Sequence, residues 1–281
     1  MGVLGFIGSI TGFLGILAVK RTSFADLVKH YMLFDLSNYT LVNLCHLFWA
    51  VPCATFTLTT SVPFLDHIFA NLANAASSQK LTPKVFLGIN RLFAISFNGL
   101  YYQSFERTKN FQYLVLFLQP FGTFLALFLP SCNCIYVPFG VNSFMFAGEC
   151  GYTILYWSMI LPGTISLPLT ALLDGTFFVL LWRTMRDFRR DNTSQQKAEA
   201  TRKEVKLALQ MLTSFIINFL NFMGLYCVTG LLPPNSVPLV VTSTFSWQLS
   251  AILFSLSYVL ILWDPQRVST KQKITVISSM A

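Results

Sequence analysis

Apolar residues run along this chain in long stretches, and the charged residues between them gather in short clusters. From Leu207 to Trp263 there is no Asp, Glu, Lys or Arg. A water-exposed domain could not carry that stretch, which is too long for one membrane helix and suits two. Pro233, Pro234, Asn235, Ser236 and Pro238 supply turn chemistry between them. A spanning helix needs roughly 20 apolar residues to cross a hydrocarbon core of about 30 Å. Segmenting the whole chain by its charge gaps predicts seven helices: Gly2–Val19, Tyr31–Leu58, Asp66–Phe97, Phe111–Leu129, Tyr152–Trp182, Val205–Gly230 and Pro238–Leu262. The expected fold is an all-α membrane protein, a bundle of seven transmembrane helices forming one domain over residues 2–267, with a short cytoplasmic tail at 268–281.

Composition agrees with that pattern. Of 281 residues, 54% are hydrophobic and 11% charged, against about a quarter charged in soluble domains. The net charge of +8 is distributed one-sidedly. Lys20, Arg21 and Lys29, then Arg91, Arg107 and Lys109, then Arg183, Arg186, Arg189, Arg190, Lys197, Arg202, Lys203 and Lys206, and last Arg267, Lys271 and Lys273 all fall on one side of the seven-helix arrangement. The opposite loops hold no Lys or Arg. The positive-inside rule makes the basic side cytoplasmic, so the N-terminus is expected outside and the C-terminus in the cytoplasm. The charge needs no nucleic-acid partner, because it sits in short loops beside lipid. Met1–Val19 lacks a basic n-region, which favours a first helix over a signal peptide. It leaves almost no outer tail; the alternative is a chain that lacks the tail and the top of helix one.

Six cysteines are present. Cys45 and Cys227 fall inside helices as small apolar residues. Cys132, Cys134 and Cys150 bracket the outer loop between helices four and five, in an oxidising compartment. A bridge from Cys150 to Cys132 or to Cys134 would stabilise by about 3 kcal/mol; Cys53 is the other candidate partner. Asn38-Tyr39-Thr40 and Asn192-Thr193-Ser194 match the glycosylation pattern but fall in a helix and on the cytoplasmic side. No catalytic constellation is present: His30, His46 and His67 are scattered, and no phosphate loop or nucleophile elbow occurs. The chain is read as a non-enzyme with no cofactor and no metal.

Arg91 is the most informative single charge, because charges in membrane helices are costly and usually face the bundle interior. Taken singly it reads as a snorkelling anchor. Its surroundings add more. Asn90-Arg91-Leu92-Phe93-Ala94-Ile95 leads to Tyr101-Tyr102-Gln103-Ser104-Phe105 and Lys109-Asn110. At the start of helix six stands Arg202-Lys203-Glu204-Val205-Lys206-Leu207-Ala208-Leu209-Gln210, and after helix seven Asp264-Pro265-Gln266-Arg267. Together with the glycine-rich Ser9–Leu17, these resemble the nematode serpentine chemoreceptors of class Srx, over nearly the whole chain from Gly2 to Arg267. Three positions depart from that pattern: Asp264 stands where Asn is usual, in a motif one residue short; the helix-one Asn near Gly15 or Ile16 is missing; and Asn98 replaces a Pro.

The resemblance implies a rhodopsin-like receptor at the plasma membrane, in a sensory cilium, that binds a small molecule from outside and activates a heterotrimeric G protein. Asn90, Arg91, Glu204, Gln210 and Arg267 become the coupling and switch residues, and Glu204 is the acid at the right depth to pair with Arg91. Tyr156, Trp157, Phe222, Tyr226 and Trp247 offer aromatic walls for a ligand, although ordinary packing explains any one of them equally well. Lys80 and Lys84 share a helix face one turn apart, among Ser77, Ser78, Gln79 and Thr82. An unpaired ammonium at that depth is costly, so Lys84 is expected to pair with Asp174, directly or through water, and Lys80 to border a hydrated ligand cavity favouring acids. The alternative starts helix three at Gln79 and leaves Lys80 interfacial. Two competing functions remain: a transporter or channel using the polar strip of helix three, and a receptor copy that inserts without signalling.

Overall fold

The structure is a computed structural model. It describes residues 1–263 apart from 80, 97–100, 139–141, 147, 191–194 and 234–235, and gives backbone only at 184–185, 187–190, 195–203, 226 and 230. Lys80, Asn98 and the Asp264–Arg267 stretch therefore lie outside the described residues, as do the tail and the side chain of Tyr226.

The described chain is mostly helical. Helix α1 is Gly2–Arg21, and α2 is Asp26–Phe56. The expected third helix is two helices, α3 at Pro63–Ser78 and α4 at Thr82–Ile95. Helix α5 is Lys109–Ala126. A hairpin of β1, Cys134–Val137, and β2, Ser143–Phe146, follows, pairing Cys134 with Phe146 and Val137 with Ser143. Helix α6 covers residues 148–190. Helix α7 is Gln195–Phe222, continued by a wider turn at Met223–Val228, and α8 is Val237–Leu262. Among the described residues, five helices are long and apolar enough to cross a membrane: Gly2–Arg21, Asp26–Phe56, Gly148–Arg183, Glu204–Leu225 and Val237–Leu262. At 16 and 14 residues, α3 and α4 are each too short, and α5, which opens with Lys109, Asn110 and Gln112, is not among the five.

The break in the third helix corrects the expectation of one continuous span from Asp66 to Phe97. Pro83 has no N–H to donate and its ring clashes with a carbonyl one turn back, so the chain turns at Gln79 and restarts with Pro83 in the first turn of α4. Gln119 of α5 bridges the break: its Nε2 donates to Ser78 O at 2.9 Å, and its Oε1 accepts from Thr82 Oγ1 at 2.8 Å. A carbonyl orphaned at a helix end thus gains a partner. The alternative that started the third helix at Gln79 matches the place of the break, but the preceding segment is not a surface one, since Ala70, Asn71 and the run Ala73–Ser78 are buried.

Two prolines shape the other helices similarly. The π-helical turns His46–Ala50 and Tyr156–Ile160 each end two residues before a proline, Pro52 and Pro162. A widened turn relieves the clash a proline makes with the preceding turn.

The helices close a ring, in the order α1, α2, α4, α6, α7, α8 and back to α1. Helix α3 packs on α2 and carries α5 and the hairpin. Glycines set the spacing of α1. A Cβ at Gly5 would meet Leu47 Cβ at 3.2 Å and Asn43 O at 3.3 Å, and one at Gly15 would meet Leu36 Cδ2 at 3.0 Å and Ser255 O at 3.3 Å. At Gly8 and Gly12 it would press on Asn43 and Thr40. Small residues at helix spacing let membrane helices approach closely. The other face of α1, with Phe6, Ile10 and Phe13, is exposed.

Gly12→Leu should therefore lower the thermal stability of the detergent-purified protein, by the roughly 1–3 kcal/mol of an overpacked core. Phe13→Leu on the outer face should stay within about 0.5 kcal/mol. Equal melting shifts would refute the docking of α1 through its glycines.

Candidate functional site

Three layers of polar chemistry run through the ring. At the end where the Lys and Arg side chains gather, Arg91 of α4 donates from Nη1 to both carboxylate oxygens of Glu204 on α7, at 3.0 and 3.2 Å. The Arg91 side chain is 8% exposed and that of Glu204 31%. The Phe24 ring lies 5.7 Å from the guanidinium carbon. Asn90 is buried, and both its amide atoms lack a hydrogen-bond partner among the described residues. Tyr102, in the short helix Tyr102–Arg107, has its phenol pushed above its ordinary range, first by burial and then by Glu106. Gln210 sits farther along α7 and donates to Ser214 Oγ and Ser257 Oγ, both at 3.1 Å. Arg267 lies outside the described residues.

The middle layer is ionic. Lys84 of α4 pairs with Asp35 of α2 at 3.7 Å, with side-chain exposures of 8% and 2%. Its Nζ donates to Tyr39 Oη at 3.3 Å and lies 4.0 Å from the Phe254 ring centre. Tyr39 in turn donates to Asn218 Oδ1 at 2.8 Å. This corrects the expected direct pairing of Lys84 with Asp174. Depth along the helices was matched, but α4 is rotated so that Lys84 faces α2 and α8. Asp174 shares with Lys84 a void of about 20 Å³, also bordered by Gln210, Ser214 and Tyr258, which is room for about one water.

The third layer is a cavity of about 280 Å³ at the hairpin end. Helix α3 contributes Asn74, Ser77 and Ser78, the hairpin Ser143–Phe146, α6 Pro162, Gly163 and Leu167, α7 Asn218, Asn221 and Phe222, and α8 Ser243 and Trp247. The cover is held from several sides. Cys132 is bonded to Cys150, which settles the open pairing and leaves Cys53 and Cys134 as buried free thiols. Asp66 on α3 accepts from Trp49 Nε1 at 2.6 Å and, through Oδ2, from Tyr136 N at 3.1 Å. Asn74 Nδ2 lies 2.8 Å from Cys134 Sγ.

Of the aromatic candidates, Trp247 and Phe222 line the cavity. Trp247 is edge-on to His46 at 5.0 Å. Tyr156 and Trp157 do not line it; they are 47% and 64% exposed. They sit within the π-helical turn, and the shifted phase that follows turns Pro162, Gly163 and Leu167 inward instead. The polar strip before Pro83 does reach the cavity, through Ser77, Ser78 and Thr82. Sequence reasoning missed Asn218 and Asn221; their spacing, one turn apart in an apolar helix, was the available signal. Among the described residues no group of three His, Cys, Asp or Glu side chains is arranged for a metal ion.

Long apolar helices closed into a ring around a buried ion pair, with a disulfide-tied cap at one end and a basic rim at the other, define a multi-pass membrane protein. The chain belongs to the family described as serpentine type 7TM GPCR chemoreceptor Srx, whose model matches residues 1–255. That match ends before Asp264–Arg267. A comparison with curated proteins gave no match.

Removing one member of a buried ion pair strands the other, at a cost of about 3–5 kcal/mol. Lys84→Met and Asp35→Asn should each reduce the yield of folded, monodisperse protein. The double variant should regain most of it, because an apolar replacement of both partners is often neutral. A double variant no better than the worse single one would show that the two charges are not coupled.

Proposed function

We propose that this chain is a chemosensory receptor that binds a small molecule in the cavity beneath the hairpin and activates a heterotrimeric G protein from the basic end. The observation that carries the proposal is the pairing of two sites on one ring: a capped cavity bordered by α7 and an Arg91–Glu204 clasp between α4 and α7. In this reading α3 with α4 forms one further span and α5 another, which brings the five apolar helices to seven. The one-sided Lys and Arg distribution supports an outer hairpin and a cytoplasmic clasp, with the N-terminus outside, at the plasma membrane. Asn90, Arg91, Glu204 and Gln210 are the proposed coupling residues, with Arg267 beside them.

The transporter or channel alternative drew on the polar strip around Lys84. That side chain is paired with Asp35, and the void it borders has room for about one water. Ligand-evoked nucleotide exchange on a G protein, measured beside ion flux in the same cells, separates receptor, channel and non-signalling copy.

Two tests follow. A tag inserted in 195–198 should be reached by antibody only after permeabilisation; labelling of intact cells would overturn the orientation. Glu204→Gln should raise basal G-protein activity, because an ion pair that favours the closed ring is lost. A part-exposed pair worth about 0.5–1 kcal/mol corresponds to a rise of roughly two- to fivefold. Unchanged basal activity at normal surface expression would mean that Arg91 and Glu204 form no lock.

A further inference from the structure

The cavity beneath the hairpin has a chemical bias beyond its shape. No described residue lining it is Asp, Glu, Lys, Arg or His. Its walls are mainly apolar and aromatic, including Phe144, Phe222 and Trp247. An ion brought there would lose its water without gaining a counter-charge, which is strongly unfavourable. Asp66 belongs to the cap, where its carboxylate is occupied by Trp49 and Tyr136. The volume of about 280 Å³ lies at the small end of the roughly 300–1,000 Å³ typical of ligand clefts.

The polar groups of the walls divide into those already bonded and those with a hydrogen to spare. Ser77 Oγ donates to Ala73 O at 2.9 Å, Ser78 Oγ to Ala75 O at 2.8 Å and Ser243 Oγ to Leu239 O at 2.6 Å. Thr82 Oγ1 donates to Gln119 Oε1. Asn74 Nδ2 is engaged twice, by Ala70 O at 2.9 Å and Cys134 Sγ at 2.8 Å. Each of these groups has a partner without any ligand. Asn218 and Asn221, one turn apart on α7, differ from them. Asn218 is oriented by its neighbours: Oδ1 accepts from Tyr39 Oη at 2.8 Å, and Nδ2 donates to Ser214 O at 2.6 Å. An amide nitrogen carries two hydrogens, so Asn218 retains one. Asn221 is 9% exposed, and its Oδ1 has under 1 Å² accessible and does not open on the cavity. The accessible atom of that amide is Nδ2, which has no hydrogen bond among the described residues. The capacity that these two cavity-lining amides leave unused is therefore mainly N–H. A ligand that displaces water from such a group without offering an acceptor strands it and loses affinity.

We infer that the cavity selects a small, uncharged, largely apolar molecule carrying a hydrogen-bond acceptor, above all a ketone, aldehyde or ester carbonyl, which accepts from Asn221 Nδ2. This deepens the receptor reading and rests on it. It also replaces the expectation of acidic ligands, which depended on Lys80. Hydrocarbons of the same shape leave the donor unpaired, and a molecule whose only polar group is an N–H gains nothing from it. Carboxylates and ammonium ions are excluded by desolvation.

The test uses the full chain in lipid nanodiscs and probes matched in shape: acetophenone with isopropenylbenzene, cyclohexanone with methylenecyclohexane, indole with indene, and the ions benzoate and benzylammonium. Affinity is read from thermal stabilisation. Each ketone should bind about tenfold tighter than its hydrocarbon, the worth of one hydrogen bond. Indole should gain nothing over indene, and neither ion should stabilise. Asn221→Leu should erase the ketone advantage while keeping hydrocarbon binding. The carbonyl stretch of isotope-labelled acetophenone bound to the unmutated chain should fall below its frequency in hexane, which keeps the test open if the variant does not fold. Equal affinity of ketone and hydrocarbon, an advantage of indole over indene, an unshifted carbonyl, or no stabilisation by both ketones overturns the inference. So does a ketone advantage that survives in folded Asn221→Leu, or stabilisation by either ion; benzoate binding that is lost in Lys80→Met would assign the site to anions instead. Nucleotide exchange on a G protein, measured in parallel, keeps the two readings apart. Ketone-selective binding without exchange supports the ligand class and counts against the receptor; exchange driven by an ion does the reverse.

Discussion

An ammonium group cannot sit unpaired inside a membrane bundle, and Lys84 is placed where it must find a partner. Its pairing with Asp35 fixes the rotation of α4 against α2. Through Tyr39 the same group reaches Asn218 on α7, and the Phe254 ring of α8 covers it. Four helices of the ring are thereby registered to one charge. The cavity opens on one side of this layer, with Asn218 in its wall, and the Arg91–Glu204 clasp closes the other. Such a layer adds little net stability over an apolar core. What it supplies is a unique arrangement, since a slip of α4 by one residue would swing Lys84 by about 100° and strand both charges.

Much of this was legible in the sequence because the bilayer imposes a single constraint: apolar runs of set length between charged loops. The five long apolar helices follow the charge gaps closely, and Glu204 stands where depth alone placed a partner for Arg91. Depth is a one-dimensional quantity, however. It could not say that Lys84 turns toward Asp35 rather than Asp174, because that depends on helix rotation, and rotation was reset by the break at Gln79–Leu81. Pro83 is the sequence signal for that break, and a count of apolar residues does not register it. Cys134-Ile135-Tyr136-Val137, followed by Pro138, Gly140 and Asn142, carries a strand-and-turn signal inside what charge gaps alone mark only as the outer loop between two helices.

The aromatic candidates show the same limit. Tyr156 and Trp157 have the depth of a ligand wall and the wrong azimuth. A π-helical turn inserts one extra residue, which rotates everything beyond it relative to an ideal helix. Here Pro162 imposes that turn, and with it Gly163 comes to face Phe222: a Cβ at Gly163 would meet the Phe222 ring at 2.7 Å. The cavity wall on this side therefore depends on a proline for direction and a glycine for clearance; a bend at Pro162 is legible from its missing N–H, whereas the clearance at Gly163 depends on which residue faces it.

Helix α7 connects the layers in the most direct way. Glu204, Leu207, Gln210, Ser214, Asn218 and Asn221 follow one another at steps of three or four, so they share one face of a single helix. The first member holds Arg91, Gln210 ties α7 to Ser257 of α8, Asn218 accepts from Tyr39, and Asn221 borders the cavity. From Glu204 to Asn221 is about 26 Å at 1.5 Å per residue. A stiff rod with its polar contacts on one stripe cannot turn at one end without disturbing the other. The widened turn at Met223–Val228 lies just beyond Asn221, so bending there would leave the rod whole. A molecule seated against Asn221 and Phe222 thus acts on the same rigid element that carries Glu204. No relay of side chains is needed to connect the cavity with the clasp.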